Sequence, residues 1–371
     1  MTRLRIAKIS VYRKDLPYVG GNYGWGRGNV ISTARSTVVV VETDAGISGA
    51  GEFCPCGDNY MVAHSEGTEA AARLLAPALI GEDPREVYRL ERLMDNTVKG
   101  HGYAKAPFDA AFWDILGKAT GQPIWMLLGG KLTDGAPMYR VCPQKTPEET
   151  TAELNEHRKA GYRHFQIKVG GDARTDADRI RHALSLLNPD ENAYADANQG
   201  WTVAEAVKIM CAIRDLNVMI EQPCETYEEC LHVRRHTDLP MKLDECVTGL
   251  AAVQRIVRDN ACEVVCHKIS NLGGLSKARR VRDFCVENGL SVVAEDTWGG
   301  EITTATLAHF AASTPPEYLY NTTDLANYNT ERTGTPMPIT RDGKLFVSDA
   351  PGLGVEPDYD TLGDPVAVYE G

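Results

Sequence analysis

The sequence predicts an α/β protein: a TIM-like (β/α)7β barrel over residues 131–330, an N-terminal α+β capping domain over 1–130, and a C-terminal segment, 331–371, that returns to the capping domain. Three observations predict it. From about residue 130 onward, short β-like apolar runs alternate with helical stretches at 23–28 residues per unit. The later runs end in ionisable residues, Lys168, Asp196, Glu221, Asp244, Lys268 and Asp296, at gaps of 28, 25, 23, 24 and 28 residues. Each gap has the length of one strand, one helix and two loops. Reactive side chains at the C-terminal ends of successive strands are what a barrel mouth is built from, which favours a barrel over a doubly wound open sheet.

The capping domain opens with strands at 3–13 and 36–43, the second rich in β-branched residues, and a return strand at 49–53 after the Ala45-Gly46 turn. Between the first two strands lies Tyr18-Val-Gly-Gly-Asn-Tyr-Gly-Trp-Gly-Arg-Gly-Asn29. Its Gly-x-Gly-x-Gly does not follow a strand and open a helix, so it is no dinucleotide turn; a mobile loop covering a site is expected. Helical patterns follow over 66–80, 84–94 and 104–116. In the barrel, strands are expected at 136–142, 164–169, 192–197, 217–221, 240–244, 263–269, 290–295 and 317–321. Helices fall between them at 146–160, 175–187, 203–216, 226–236, 250–259, 275–289 and 302–313.

Composition excludes several classes. The chain has 371 residues, 43% hydrophobic and 24% charged, with a net charge of −12, which argues against nucleic acid or an anionic membrane as partner. No signal-peptide core and no stretch of about 18 apolar residues is present. The 10 cysteines form no Cys-x-x-Cys, and several lie in apolar runs; buried free thiols in a reducing cytoplasm are expected.

Asp196, Glu221 and Asp244 end three neighbouring strands. A single acid there would be read as a cap for the following helix. Three acids converging on one barrel mouth repel one another unless a cation sits among them. Oxygen ligands without histidine or thiolate point to Mg²⁺ rather than zinc. Glu245 complicates the third ligand, because adjacent strand residues face opposite ways, and Asn198 is placed to orient a ligand. Lys168 and Lys268 lie one strand outside this triplet on either side, an acid/base pair across one substrate. A lysine base needs its pKa lowered from about 10.4 toward about 7–8, a shift that Mg²⁺ and the second lysine favour.

Gln166-x-Lys168, Asp196-x-Asn198, Glu221-Gln-Pro223, Asp244-Glu245, Lys268 and Asp296-x-Trp298-Gly-Gly300 resemble the enolase superfamily, in its mandelate racemase/muconate-lactonizing branch. The resemblance spans the whole chain, capping domain and C-terminal return included. It implies that Asp196, Glu221 and Asp244 bind one Mg²⁺ that grips a substrate carboxylate, that Lys168 and Lys268 handle the α-proton on its two faces, and that the protein is a homo-oligomer. The family often has Lys-x-Lys where this chain has Gln166, so a hydrogen-bonding role at the substrate is implied there.

For specificity the candidates are Tyr23, Trp25, the run Cys54–Tyr60, His64, Glu295, Asp296, Trp298 and Asp324. Acids near the site suit a substrate cation, Trp25, Tyr60 and Trp298 add cation–π contact, and Asp324 is placed to meet a secondary ammonium. A small zwitterionic carboxylate fits. His267 is expected to point away from the face of Lys268. Cys54-Pro-x-Gly-x-x-Tyr60 with Gly100-His-x-Tyr-Ala-Lys105 is similar to the proline-derivative enzymes of the branch. That similarity implies dehydration of cis-3-hydroxy-L-proline to Δ1-pyrroline-2-carboxylate, with 2-epimerisation of proline betaine or hydroxyproline betaine as the alternative.

Overall fold

Valines 38–41 are buried to a man in the second long strand of the capping domain, covered on both faces of a small antiparallel sheet. A computed structural model describes residues 4–371; residue 3, at the head of the expected first strand, lies outside them. The N-terminal strands are β1 (Ile6–Pro17), β2 (Tyr23–Trp25), β3 (Asn29–Ile31), β4 (Thr33–Thr43) and β5 (Ser48–Phe53). Three helices follow: α1 (Ser65–Leu79), α2 (Val87–Thr97) and α3 (Gly102–Thr120). α3 lies directly on β5, because a Cβ at Gly51 would fall 1.9 Å from the Pro107 carbonyl oxygen. Only glycine permits that approach.

The barrel strands are β6 (Tyr139–Cys142), β7 (His164–Lys168), β8 (Asn192–Asp196), β9 (Met219–Glu221), β10 (Met241–Leu243), β11 (Val264–Lys268), β12 (Ser291–Glu295) and β13 (Leu319–Thr322). They form one 8-stranded sheet in sequential order with parallel pairing, and a parallel bridge between Met138 and Thr322 closes the ring. The intervening helices are α4 (Pro147–Lys159), α5 (Ala173–Ser185), α6 (Val203–Ala212), α7 (Tyr227–Arg234), α8 (Leu250–Asp259), α9 (Leu275–Glu287) and α10 (Glu301–Ala312). Thr146/Glu149, Thr202/Glu205 and Thr226/Glu229 make reciprocal capping boxes, which start α4, α6 and α7 where the sequence pattern places them. Eight strands and seven helices thus match the predicted barrel.

A last strand, β14 (Ala367–Glu370), pairs antiparallel with β1 through Lys8–Glu370 to Val11–Ala367 and gives the capping sheet the order β14–β1–β4–β5. Among the described residues no helix is long and apolar enough to cross a membrane. All cysteines but Cys211 and Cys246 are buried thiols.

The glycine-rich stretch differs from expectation. It forms a short hairpin, β2–β3, with Trp25 buried. The hairpin docks on the barrel because Gly26 brings backbone against backbone: its Cβ would lie 2.5 Å from the Ala197 carbonyl oxygen, and Arg27 N–H donates to Gly170 O at 3.0 Å. Gly26→Val is expected to lift the hairpin and lower kcat/KM by about 10–100-fold, with the thermal melt nearly unchanged. Steady-state kinetics beside a melting curve checks this.

A buried carboxylate of the capping domain helps latch it to the barrel. Glu52 accepts from Ser36 Oγ at 2.7 Å, Gly300 N at 2.8 Å, Thr303 N at 2.9 Å and Thr333 Oγ1 at 3.2 Å. The acid of one domain therefore satisfies the orphan N–H groups that begin α10 of the other. Beside it, Thr297 Oγ1 donates to the Cys54 carbonyl at 2.6 Å, and Cys54 bridges Trp298.

Candidate active site

Strand register sets the site. Lys168 pairs with Asp196, Asp196 with Glu221, Glu221 with Lys242, and Lys268 with Glu295, so ionisable groups ring the C-terminal mouth at nearly one level. Period-two alternation turns Gln166 and Lys168 inward while Phe165 and Ile167 pack among the helices. His267, between two inward residues, faces outward as expected: it is buried, stacks on Phe310 at 5.7 Å, and burial pulls it down to about 3.

Gln166, Lys168, Asp196, Asp244, Lys268 and Glu295 line a pocket of about 490 Å³, its open mouth included. Lys168 and Lys268 stand on strands four apart in the ring of eight, hence on opposite walls. Lys168 Nζ donates to Asp196 Oδ2 at 2.6 Å and Asn198 Oδ1 at 2.9 Å. Lys268 Nζ donates to Glu295 and lies 3.0 Å from Asp244 Oδ2. Gln166 Nε2 bridges Asp196 Oδ2 at 3.0 Å and Glu221 Oε2 at 2.9 Å. Asn198 Nδ2 donates to Glu245 Oε1 at 3.1 Å, and Tyr60 OH to Asp244 Oδ2 at 3.0 Å. The turns after two of these acids adopt positive φ, 42° at Asn198, 65° at Gln199 and 32° at Gln222. Such strain in non-glycine residues persists where the surroundings hold a site in place.

Burial alone would favour a neutral Lys168, but the charges of Asp196, Tyr23 and Glu221 more than offset it and hold the ammonium above its ordinary range. Lys268 is likewise raised: burial opposes, while Asp244 and Glu295 prevail. These carboxylates by themselves favour both ammonium ions; the lowering expected from sequence rests on Mg²⁺ among them. Burial, then Asp196, pushes Glu221 up to about 7. Burial also acts on Glu295, yet Lys268 and Lys242 hold it down at about 2.

The donor set fits a hard divalent cation. Asp196, Glu221 and Asp244 offer carboxylate oxygens, and Asp244 Oδ1 is buried with no hydrogen-bond partner among the described residues. Glu221, Asp244, Cys266 and Glu295 bring potential ligand atoms within 4.8 Å of one another, a grouping that omits Asp196. Glu295 is engaged by Lys268 and by Tyr139 OH at 2.9 Å, the Cys266 thiol donates to Glu221 Oε1 at 3.2 Å, and Asp196 is engaged in its turn by Lys168, Gln166 and Asn198 N.

Aromatic rings roof the cavity. Trp298 meets Tyr23 edge-on at 5.1 Å and Tyr328 at 5.7 Å, and Trp25 meets Tyr60 at 6.1 Å. Asp296 lines the wall but accepts from Ser270 N at 2.9 Å, from the Ser270 hydroxyl and from Thr297 N at 2.8 Å; burial pushes its carboxyl up to about 6.

Asp324 is the misplaced candidate. It is fully buried outside the cavity wall and accepts from Arg140 Nη1 at 3.0 Å, Tyr162 OH at 2.8 Å and Asn327 Nδ2 at 2.8 Å. Arg140 in turn lies 3.9 Å from the Tyr328 ring centroid, so the pair braces a cavity wall from behind. Asp324→Ala is expected to cost about 3–5 kcal/mol by leaving Arg140 unpaired, read in denaturant unfolding. Sequence reasoning missed Tyr139, Lys242 and Tyr328; for Lys242 the signal was present, two residues before Asp244 and hence on its face.

Residues 149–361 match the family described as enolase C-terminal domain-like, and residues 28–129 the N-terminal domain of mandelate racemase/muconate lactonizing enzymes. The chain belongs to the enolase superfamily. A member of that superfamily from Roseibium aggregatum, cis-3-hydroxy-L-proline dehydratase, is 44% identical over 366 residues, 99% of this chain and 100% of its own. The crystal structure of a mandelate racemase/muconate lactonizing enzyme from Roseovarius nubinhibens superposes with a TM-score of 0.97 at 65% identity, covering 99% of both chains. Another from the same organism, complexed with magnesium, gives 0.95 at 34% identity over 98% of this chain and 100% of that one. This superfamily chain is therefore an enzyme with full-length, same-fold relatives.

Proposed function

We propose that the protein is a Mg²⁺-dependent hydro-lyase that converts cis-3-hydroxy-L-proline to Δ1-pyrroline-2-carboxylate and water. The observation that carries this reading is the placement of Lys168 and Lys268 on opposite walls of one small, aromatic-roofed cavity with carboxylates between them. The full-length resemblance to a dehydratase of that substrate supports it.

Asp196, Glu221 and Asp244 would hold the Mg²⁺. When bound, it would polarise the substrate carboxylate and offset the carboxylates that keep the lysines protonated. In cis-3-hydroxy-L-proline the hydroxyl and carboxylate share a ring face, so the α-hydrogen lies on the opposite face from the hydroxyl. One lysine, as the neutral amine, takes the α-proton and becomes an ammonium. Its counterpart, as an ammonium, gives a proton to the C3 hydroxyl as the C3–O bond breaks, and water leaves. The C2–H electron pair becomes the C2=C3 bond of an enamine, which tautomerises to the pyrroline. Trp25, Tyr60 and Trp298 flank the ring, Asp296 faces its ammonium, and Gln166 contacts the carboxylate end. Asn198 and Glu245 orient Lys168 from behind.

The test is proton NMR of cis-3-hydroxy-L-proline with enzyme and Mg²⁺ in D₂O, alongside 2-aminobenzaldehyde trapping of pyrroline. Loss of the C3 carbinol signal with trapped product is expected. Deuterium uptake at the α-carbon of proline betaine or hydroxyproline betaine, with no water lost from any proline derivative, would assign the protein to epimerisation instead.

A further inference from the structure

Lys242 is a fully buried lysine on the floor of the barrel mouth, and the proton transfers described above do not use it. Its Nζ lies 2.9 Å from Glu221 Oε1, over the Tyr194 ring at 4.2 Å and near the Tyr139 ring at 5.7 Å. The Cys266 thiol donates to the same Glu221 oxygen at 3.2 Å. Glu221 Oε1 thus accepts from the thiol and has the lysine nitrogen 2.9 Å away, close enough to pair by charge but outside hydrogen-bond geometry. Glu221 Oε2 accepts, among the described residues, from the Gln166 amide at 2.9 Å, the same amide that reaches Asp196 Oδ2 at 3.0 Å.

We infer that Lys242, with Cys266, is a positioning residue that limits Glu221 to one-oxygen ligation and so makes the site select Mg²⁺ over Ca²⁺. The chemistry follows from the two ions. Mg²⁺ demands a small octahedron and takes carboxylates one oxygen at a time, whereas Ca²⁺ gains affinity from more numerous ligands and two-oxygen carboxylate contacts. An ammonium beside Oε1 removes the second oxygen and repels a larger ion that would sit astride both. The inference rests on Asp196, Glu221 and Asp244 being the metal ligands.

The experiment is calorimetric titration of chelator-treated, full-length protein with MgCl₂ and with CaCl₂, for wild type, Lys242→Met and Cys266→Ala, each checked for folding by circular dichroism. In Lys242→Met the ratio of Mg²⁺ to Ca²⁺ affinity is expected to fall about tenfold or more, in the range of an outer-partner change at a metal site. Cys266→Ala should shift the ratio the same way by less. An unchanged ratio in folded Lys242→Met overturns the inference, and if that variant does not fold, an unchanged ratio in Cys266→Ala overturns it. Wild type that binds no Mg²⁺ would instead overturn the ligand assignment itself.

Discussion

Lys168→Ala and Lys268→Ala are each expected to lower the turnover of cis-3-hydroxy-L-proline by about 10²–10⁴-fold, the range of a lost general acid or base. The two variants should nonetheless differ in kind. Removing the base stops both α-hydrogen exchange and water loss. Removing the acid stops water loss but leaves exchange, because the α-proton can still leave and return on its own face. In D₂O one variant therefore incorporates α-deuterium into unreacted substrate while the other does not. Incorporation by both, or by neither, would contradict a division of labour between opposite walls. The environments make both lysines sensitive positions: each is buried, and each donates to a buried acid.

Asp244→Asn is the second large effect. Mg²⁺ affinity, read by calorimetry, is expected to drop by more than about 100-fold, beyond the loss typical of an outer partner, with activity falling to background and the melt hardly moved. The small structural penalty follows from the geometry: Asp244 Oδ1 has no hydrogen-bond partner among the described residues, and Lys268 keeps Glu295. Glu221→Gln should lose metal as well but also destabilise by about 3–5 kcal/mol, because it strips the partner from a buried ammonium at Lys242. Chelation of wild type should mimic Asp244→Asn and be reversed by added Mg²⁺.

Much of this was legible before any coordinates. Ionisable residues at the ends of apolar runs announce themselves, because burying a charge is costly unless it has work to do or a partner. Thus Lys168, Asp196, Glu221, Asp244 and Lys268 could be read together, and their spacing carried the barrel with them. The rest escaped for definable reasons. Asp324 looked like a site residue because its partner, Arg140, stands 184 positions earlier, and no local pattern reports a pair that distant. Lys242 went unremarked because lysines are almost never fully buried. The glycine-rich stretch read as a mobile loop over a site, and its hairpin was not legible because it docks on Ala197 and Gly170, which belong to the barrel.

The Glu52 carboxylate has a consequence for how such enzymes can change substrate. It ties the strand that leads into Cys54–Tyr60 to the start of the helix that follows Trp298, so the two specificity segments are set by one shared anchor. A chimera that imports the first 60 or so residues of a relative, without residues 296–303 to match, would inherit a roof whose halves no longer meet. New substrates should therefore be reached by paired exchanges at both ends of the gene, and libraries that vary only the leading loops should return mostly folded but idle proteins.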